Sequence, residues 1–268
     1  MDNVGNFEFK PYTKYRKNIE IITKEGWRKR SHHSILELDV TIARKKIKKY
    51  YEKNKIKLSF TSWIVKCVAE AISKHKEFNA YKHKGRKIAI FDDVDVAVPV
   101  ERQSETVSRP RVLIIRSANE KSVLDITNEI RAVQTQSIDD STQVLGKKTS
   151  RFENFALNAP SFIQKFFLRV LGRNAKFRKK YTGTTGVTAI GMKGFFSGWV
   201  VPLGGTATTL FVVGGISKKP FVVKDKIMIR EILHLTITTD HYLVDGGPLV
   251  RFIDYLINIM EDGFDLEK

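Results

Sequence analysis

One stretch constrains this chain more than any other: Asp240-His241-Tyr242-Leu243-Val244-Asp245-Gly246-Gly247. A β-rich run, Ile227 to Thr239, leads into it, and an apolar-periodic helix, about Pro248 to Met260, leads out. The motif therefore sits on a strand-to-helix turn, with His241 at the end of the strand. Rigid flanking elements hold an imidazole well in such a place, and imidazole is the side chain best suited to take and return a proton near neutral pH. Asp245, four residues on, can fix the geometry around it, and Gly246-Gly247 allows a tight backbone turn. A histidine that only caps or packs at the turn is the competing reading.

The elements before the motif alternate. Ser31 to Val40 reads as a strand through Ile35, Leu36 and Leu38, with His32 and His33 read as surface residues. Thr41 is placed to cap a helix running to about Glu52, and Ser59 or Thr61 to cap a second from about Ser62 to Lys74. The second helix has the apolar face Trp63, Ile64, Cys67, Val68, Ala71 and Ile72, so Cys67 reads as a packing residue. Strands are expected at Ile88 to Phe91, Val94 to Val100 and Arg111 to Arg116. A helix opened by Lys121 or Ser122 runs through about Gln134. Further strands are expected at Thr188 to Ile190 and Thr208 to Ile216, then a turn at Lys218-Lys219-Pro220 and a hairpin turn at Lys224-Asp225-Lys226. Residues 1–30 form a basic arm expected to pack through Phe7, Tyr12 and Trp27. Residues 31–268 form the main domain, with a basic and aromatic insertion at about 137–182.

With the order of elements in view, the motif resembles that of the dihydrolipoamide acyltransferase core of 2-oxo acid dehydrogenase complexes, in the chloramphenicol acetyltransferase-like superfamily. That family reads D-H-R-x-x-D-G, so Tyr242 stands at the Arg position. Glu77-Phe78-Asn79-Ala80 is similar to the family's P-x-x-N-A. Gly183 to Gly194 takes the place of G-T-F-T-I-S-N-L-G, with Gly191 at the family Ser and Met192 at the Asn. The resemblance implies an α+β two-layer sandwich, a mixed β-sheet covered by helices. It also implies acyl transfer between coenzyme A and a dihydrolipoyl-type thiol or other small acceptor. His241 would be the general base and Asp245 an orienting residue, with Asp240 a weaker partner and Arg16 a candidate partner for Asp245. A homotrimer with the site between chains is implied, as is an oxyanion hydroxyl that Gly191 lacks. Thr188, Ser197 or a backbone N–H would then have to substitute. The lipoyl and subunit-binding segments of the family are not recognised here. The expectation is a free-standing core that uses acyl-CoA or lipoyl domains of another chain. A catalytically inactive trimeric scaffold or binding module of the same fold is the alternative.

Charge adds a separate constraint. Lys plus Arg is 47 and Asp plus Glu is 29, giving 47 − 29 = +18. Such an excess favours polyanions: nucleic acid, an anionic membrane surface or a phosphate-bearing small molecule such as coenzyme A. From Lys147 to Lys180 basic residues interleave with Phe152, Phe155, Phe162, Phe166, Phe167 and Phe177, and Pro160 opens an amphipathic helix of about Ser161 to Leu171. That segment fits a helix covering the sheet with a solvated rim, a membrane or acyl-chain contact, or nucleic-acid binding. No recognised nucleic-acid module accompanies the charge, which argues against the last. One cysteine excludes an intrachain disulfide and fits a cytoplasmic protein. No secretory signal or membrane span is expected, and the scattered histidines do not form a zinc site.

Overall fold

The computed structural model describes residues 5–101, 111–135, 159–191, 196–202 and 205–266. The elements, in chain order, are α1 (Lys14–Trp27), β1 (Ser31–Asp39), α2 (Thr41–Asn54), α3 (Phe60–Lys74), a 3-10 turn (Lys76–Asn79), β2 (Ala80–His83), β3 (Lys87–Ile90), β4 (Val96–Val100), β5 (Arg111–Ile115) and α4 (Val123–Thr135), followed by α5 (Ser161–Leu171), α6 (Ala175–Thr182), β6 (Thr185–Ala189), β7 (Thr209–Val223), β8 (Lys226–Asp240) and α7 (Gly246–Glu261). A six-stranded sheet has the order β1-β8-β7-β6-β4-β5, and β2–β3 form a separate hairpin. The sheet is mixed: β4, β6 and β7 run parallel, and the pairs β1–β8, β7–β8 and β4–β5 are antiparallel.

Alternation along the strands explains the layering. On β8, Leu233, Leu235 and Ile237 face the core, together with Phe211 and Val213 of β7 and Leu38 of β1. Helices α3, α4 and α7 cover that face with Trp63, Ile64, Val68, Ile126, Phe252 and Leu256. Phe78 of the 3-10 turn stacks on Phe252 with centroids 4.1 Å apart, which locks the turn to α7. His234, Thr236, Thr238 and Asp240 point to the opposite face and are buried too. This is the expected two-layer α+β sandwich.

Caps agree with the sequence where side chains can supply them. Ser59 Oγ accepts the Ser62 N–H at 3.3 Å at the start of α3. Ser122 and Asp125 exchange backbone-to-side-chain bonds at 3.1 Å each, a reciprocal cap for α4. The cap of α2 differs from expectation. Thr41 is its first residue, and Asp39 Oδ1 takes the Thr41 N–H at 3.0 Å. Lys224 and Asp225 have φ of 49° and 60°, as a two-residue primed hairpin turn requires.

Other elements depart from the sequence reading. The basic arm contains α1, capped by Thr13 and anchored by the buried Ile21. Phe7, Tyr12 and Trp27, expected to hold it, are exposed. No turn forms at Lys218-Lys219-Pro220, because β7 continues to Val223 past an irregularity between Val213 and Ile216. There β7 has only β8 beside it, so Pro220, opposite Ile229, can turn its missing N–H to the open edge. Helix α6 was not expected, since its apolar spacing is poor. Its start is set by Asn174 Oδ1, which accepts from Lys176 N at 3.0 Å. The insertion at 137–182 is described from residue 159 onward, and there Ser161–Leu171 is helical as expected. Residues 137–158 lie outside the described residues, as do Met192 and residues 203–204.

Candidate active site

Strand pairing builds the site. β1 pairs with β8 in the register Ser31↔Asp240, His32↔Thr239 and His33↔Thr238, so the start of β1 lies beside the motif. The His241 N–H donates to Arg30 O at 2.7 Å, and the Asp240 N–H donates to Thr208 O at 3.0 Å. The strand end is thus fixed from both sides. Asp240 then closes the turn. Its carbonyl accepts from Leu243 and Val244 at 3.0 and 3.2 Å, and its Oδ1 accepts the Tyr242 N–H at 3.1 Å. Asp240 is therefore a turn-former. Tyr242, at the position read as Arg in the family motif, points outward and is exposed.

The His241 imidazole is half exposed, and its Nδ1 lies 3.3 Å from the carbonyl oxygen of Val244. A carbonyl only accepts, so this contact places the proton on Nδ1 and leaves the Nε2 lone pair to act as a base. Asp245 Oδ1 is 3.8 Å from Nδ1, beyond hydrogen-bond reach, and its side chain is 86% exposed. Asp245 occupies the N-cap position of α7 without a side-chain capping bond, and its carbonyl accepts from Leu249 at 3.1 Å. Backbone therefore orients His241 directly, and Asp245 adds a nearby negative charge.

His32 is the residue the sequence did not reveal. Its ring centroid lies 3.7 Å from that of His241, at an interplanar angle of 53°. Its Nε2 is buried and has no hydrogen-bond partner among the described residues. His33 instead bonds Thr238 Oγ1 at 3.0 Å. Two adjacent histidines read as surface residues thus divide between the site and the sheet. Only the β1–β8 register, invisible locally, distinguishes them. Arg16 makes no ion pair with Asp245 among the described residues; its backbone serves the Thr13 cap of α1.

Gly191 is placed apart from this cluster. Ile190 N donates to Val213 O at 3.0 Å, while Thr209, four residues earlier on β7, pairs with Thr239 beside the motif. At about 3.3 Å per residue, Gly191 is roughly 13 Å along the sheet from the motif. Its backbone also leaves no room for a side chain: a Cβ there would lie 2.0 Å from the Gly214 carbonyl carbon and oxygen. Gly214 and Gly215 are pressed in turn by the carbonyl oxygens of Gly198 and Phe196. Counted from Gly183, the family's G-T-F-T-I-S-N-L-G sets Thr188 at its Ser and Gly191 at its final Gly. The expected loss of a hydroxyl at 191 is therefore corrected: the close approach among glycine backbones accounts for a glycine there. Of the candidate substitutes, Thr188 is partly buried and Ser197 exposed.

A mixed sheet that delivers a backbone-oriented histidine into the turn before a closing helix defines a class of α+β acyltransferase cores. The chain belongs to the family described as 2-oxoacid dehydrogenases acyltransferase (catalytic domain), whose model matches residues 9–145 and 169–266. Curated relatives include the succinyltransferase component of the 2-oxoglutarate dehydrogenase complex of Buchnera aphidicola from Schizaphis graminum, 24% identical over 82% of this chain and 46% of that protein. Another is the acetyltransferase component of the pyruvate dehydrogenase complex of Mycoplasma genitalium, 25% identical over 82% of this chain and 50% of that protein. The chain thus spans about half the length of these relatives. Among solved structures, a dihydrolipoamide acetyltransferase of Azotobacter vinelandii superposes with a TM-score of 0.71 at 17% identity, covering 97% of this chain and 94% of that one. A probable dihydrolipoamide acetyltransferase of Listeria monocytogenes gives 0.67 at 18% identity, covering 98% of each. The fold is therefore that of the acyltransferase cores.

Proposed function

We propose that the protein moves an acyl group between coenzyme A and a dihydrolipoyl-type thiol, with His241 as the general base. The observation that carries this reading is the Nδ1 contact to Val244 O, which leaves Nε2 free to accept a proton. Nε2 takes the proton of the incoming S–H, and the thiolate sulfur attacks the thioester carbonyl carbon. The resulting oxyanion collapses, the carbon–sulfur bond to the departing thiol breaks, and the new thiolate recovers the proton from His241. A free thiol has a pKa near 8.5, so a base within reach raises the reactive fraction at neutral pH. Asp245 assists as a nearby carboxylate that favours the transient imidazolium.

The remaining parts of the site are assigned to a homotrimer. Thr188, at the family Ser when counted from Gly183, pairs with Val212 and through it with Thr236, five residues before His241. It lies too far along the sheet to serve His241 within one chain, which supports a site shared between neighbours. Lipoyl domains carried by another chain are the proposed acyl carriers. The test is thiol release from acetyl-, succinyl- and longer acyl-CoA with dihydrolipoamide as acceptor, combined with the mass of the assembly in solution. Acceptor-dependent release by a trimer or a multiple of it is the expected result. A monomer without turnover on any donor would overturn the reading and leave a binding module of the same fold.

A further inference from the structure

Helix α5 carries a feature that acyl transfer does not use. Phe162, Phe166 and Val170 stand four residues apart and are 72%, 64% and 48% exposed. That spacing aligns them as one ridge on one helix face. Arg169, exposed, borders the ridge three residues past Phe166, and the exposed Arg173 and Lys176 follow. The β2–β3 hairpin is fastened alongside: Lys84 N donates to Arg173 O at 2.7 Å, and Ala175 N donates to His83 Nδ1 at 3.2 Å. The hairpin adds the exposed Lys84 and Arg86 to the same surface.

These cations are not held by acids. Among the described residues Arg116 and Lys179 pair with Asp95, whereas Lys84, Arg86, Arg169, Arg173 and Lys176 have no carboxylate partner. No Asp or Glu occurs between Glu153 and Asp225. The family match is interrupted over residues 146–168, so most of α5 lies outside the matched residues. Phe162 and Phe166 thus lie outside the family match, and the His241 ring has its contacts with Val244 and His32.

A partner for this surface must offer hydrocarbon and negative charge side by side. An anionic bilayer does so at the boundary of headgroups and acyl chains, where a helix with an apolar face and basic edges lies in the plane. A nucleic-acid strand offers phosphates and bases, but it is held in a groove that tracks the backbone, and the α5 ridge is convex. We propose that α5 and the adjoining hairpin dock the protein on an anionic membrane surface, with Phe162, Phe166 and Val170 among the acyl chains and the five cations at the phosphates.

The test is sedimentation of the full chain with vesicles of phosphatidylcholine, alone or mixed with phosphatidylglycerol. Binding to the mixed vesicles that weakens as salt rises is the expected result. Phe162→Ala with Phe166→Ala lowers partitioning by roughly tenfold per residue. Arg169→Ala with Arg173→Ala lowers it by roughly fivefold per residue and flattens the salt dependence. Both double variants keep the wild-type thermal midpoint and thiol release, which separates a docking failure from a folding or catalytic one. No binding to the mixed vesicles at low salt overturns the proposal. So does equal binding to phosphatidylcholine alone that the arginine changes leave untouched. Retention of a single-stranded oligonucleotide without vesicle binding would assign the surface to nucleic acid instead.

Discussion

Replacing Gly191 with Ser tests the close approach of the backbones at Gly191, Gly214 and Gly215. The geometry predicts that the change costs stability and gains no activity. A Cβ at 191 lies 2.0 Å from Gly214 C and O and 2.4 Å from Gly215 N. Ordinary contact needs about 3.5 Å, so the two backbones must part by roughly 1.5 Å. No rotamer change relieves a clash with backbone, and Gly214 and Gly215 are backed by the Gly198 and Phe196 carbonyls. Overpacking costs about 1–3 kcal/mol, and a backbone clash belongs at the upper end. A Gly-to-side-chain change also removes unfolded-state entropy, which offsets about 0.4–1 kcal/mol. The net loss is about 2 kcal/mol, or a fall of about 4–8 °C in the thermal midpoint for a chain of this size. Thermal unfolding followed by circular dichroism reads the fall, and thiol release from acyl-CoA reads activity. A variant that melts with the wild type, or that gains turnover, would refute the steric account of Gly191.

Other positions give independent checks. Burial pushes the Glu261 carboxyl above its ordinary range, so the folded state favours its protonated form and its ionisation at neutral pH is destabilising. Glu261→Gln, which keeps an oxygen for the Asp39 N–H, should stabilise the protein at pH 7 by about 0.5 kcal/mol after allowance for solvent screening. The gain should vanish below about pH 4, where the wild-type carboxyl is itself protonated; a gain that persists there contradicts the burial argument. Cys67 is fully buried and burial holds its thiol well above the ordinary range, so an aromatic disulfide reagent should label it only along the urea unfolding curve. Rapid labelling of the folded protein would contradict its placement in α3. His32→Ala should lower turnover by roughly tenfold through loss of the ring contact with His241, while His32→Phe retains most of it. Equal loss in both variants would point to the His32 nitrogens.

The legible parts of the molecule were those written in local chemistry. The α3 start follows from Ser59, the β7–β8 turn from Lys224-Asp225, and the His241 turn from a strand and an apolar-periodic helix. Gly246 and Gly247, expected in the turn, instead begin the helix without a positive φ. What escaped depends on contacts distant in sequence. His32 and His33 look alike until β1 pairs with β8, and then one meets His241 and the other Thr238. Lys218-Lys219-Pro220 looks like a turn because proline normally ends a strand, yet β7 has an open edge there that tolerates it. Helix α6 gives little apolar signal because Ala175 is its only buried residue, and Arg178 over the Tyr81 ring secures it instead. The glycine at 191 could be read from the sequence, but the reason for it could not. It lies in the approach of Gly191 to Gly214 and Gly215.

The central claim is that His241 is a working base, and one comparison tests it most directly. Thiol release from acetyl-CoA with dihydrolipoamide is measured for the wild type and for His241→Ala, with circular dichroism confirming that both are folded. Loss of the general base predicts a fall of at least about a hundredfold. Equal turnover by the two proteins would contradict the claim and remove His241 from the chemistry.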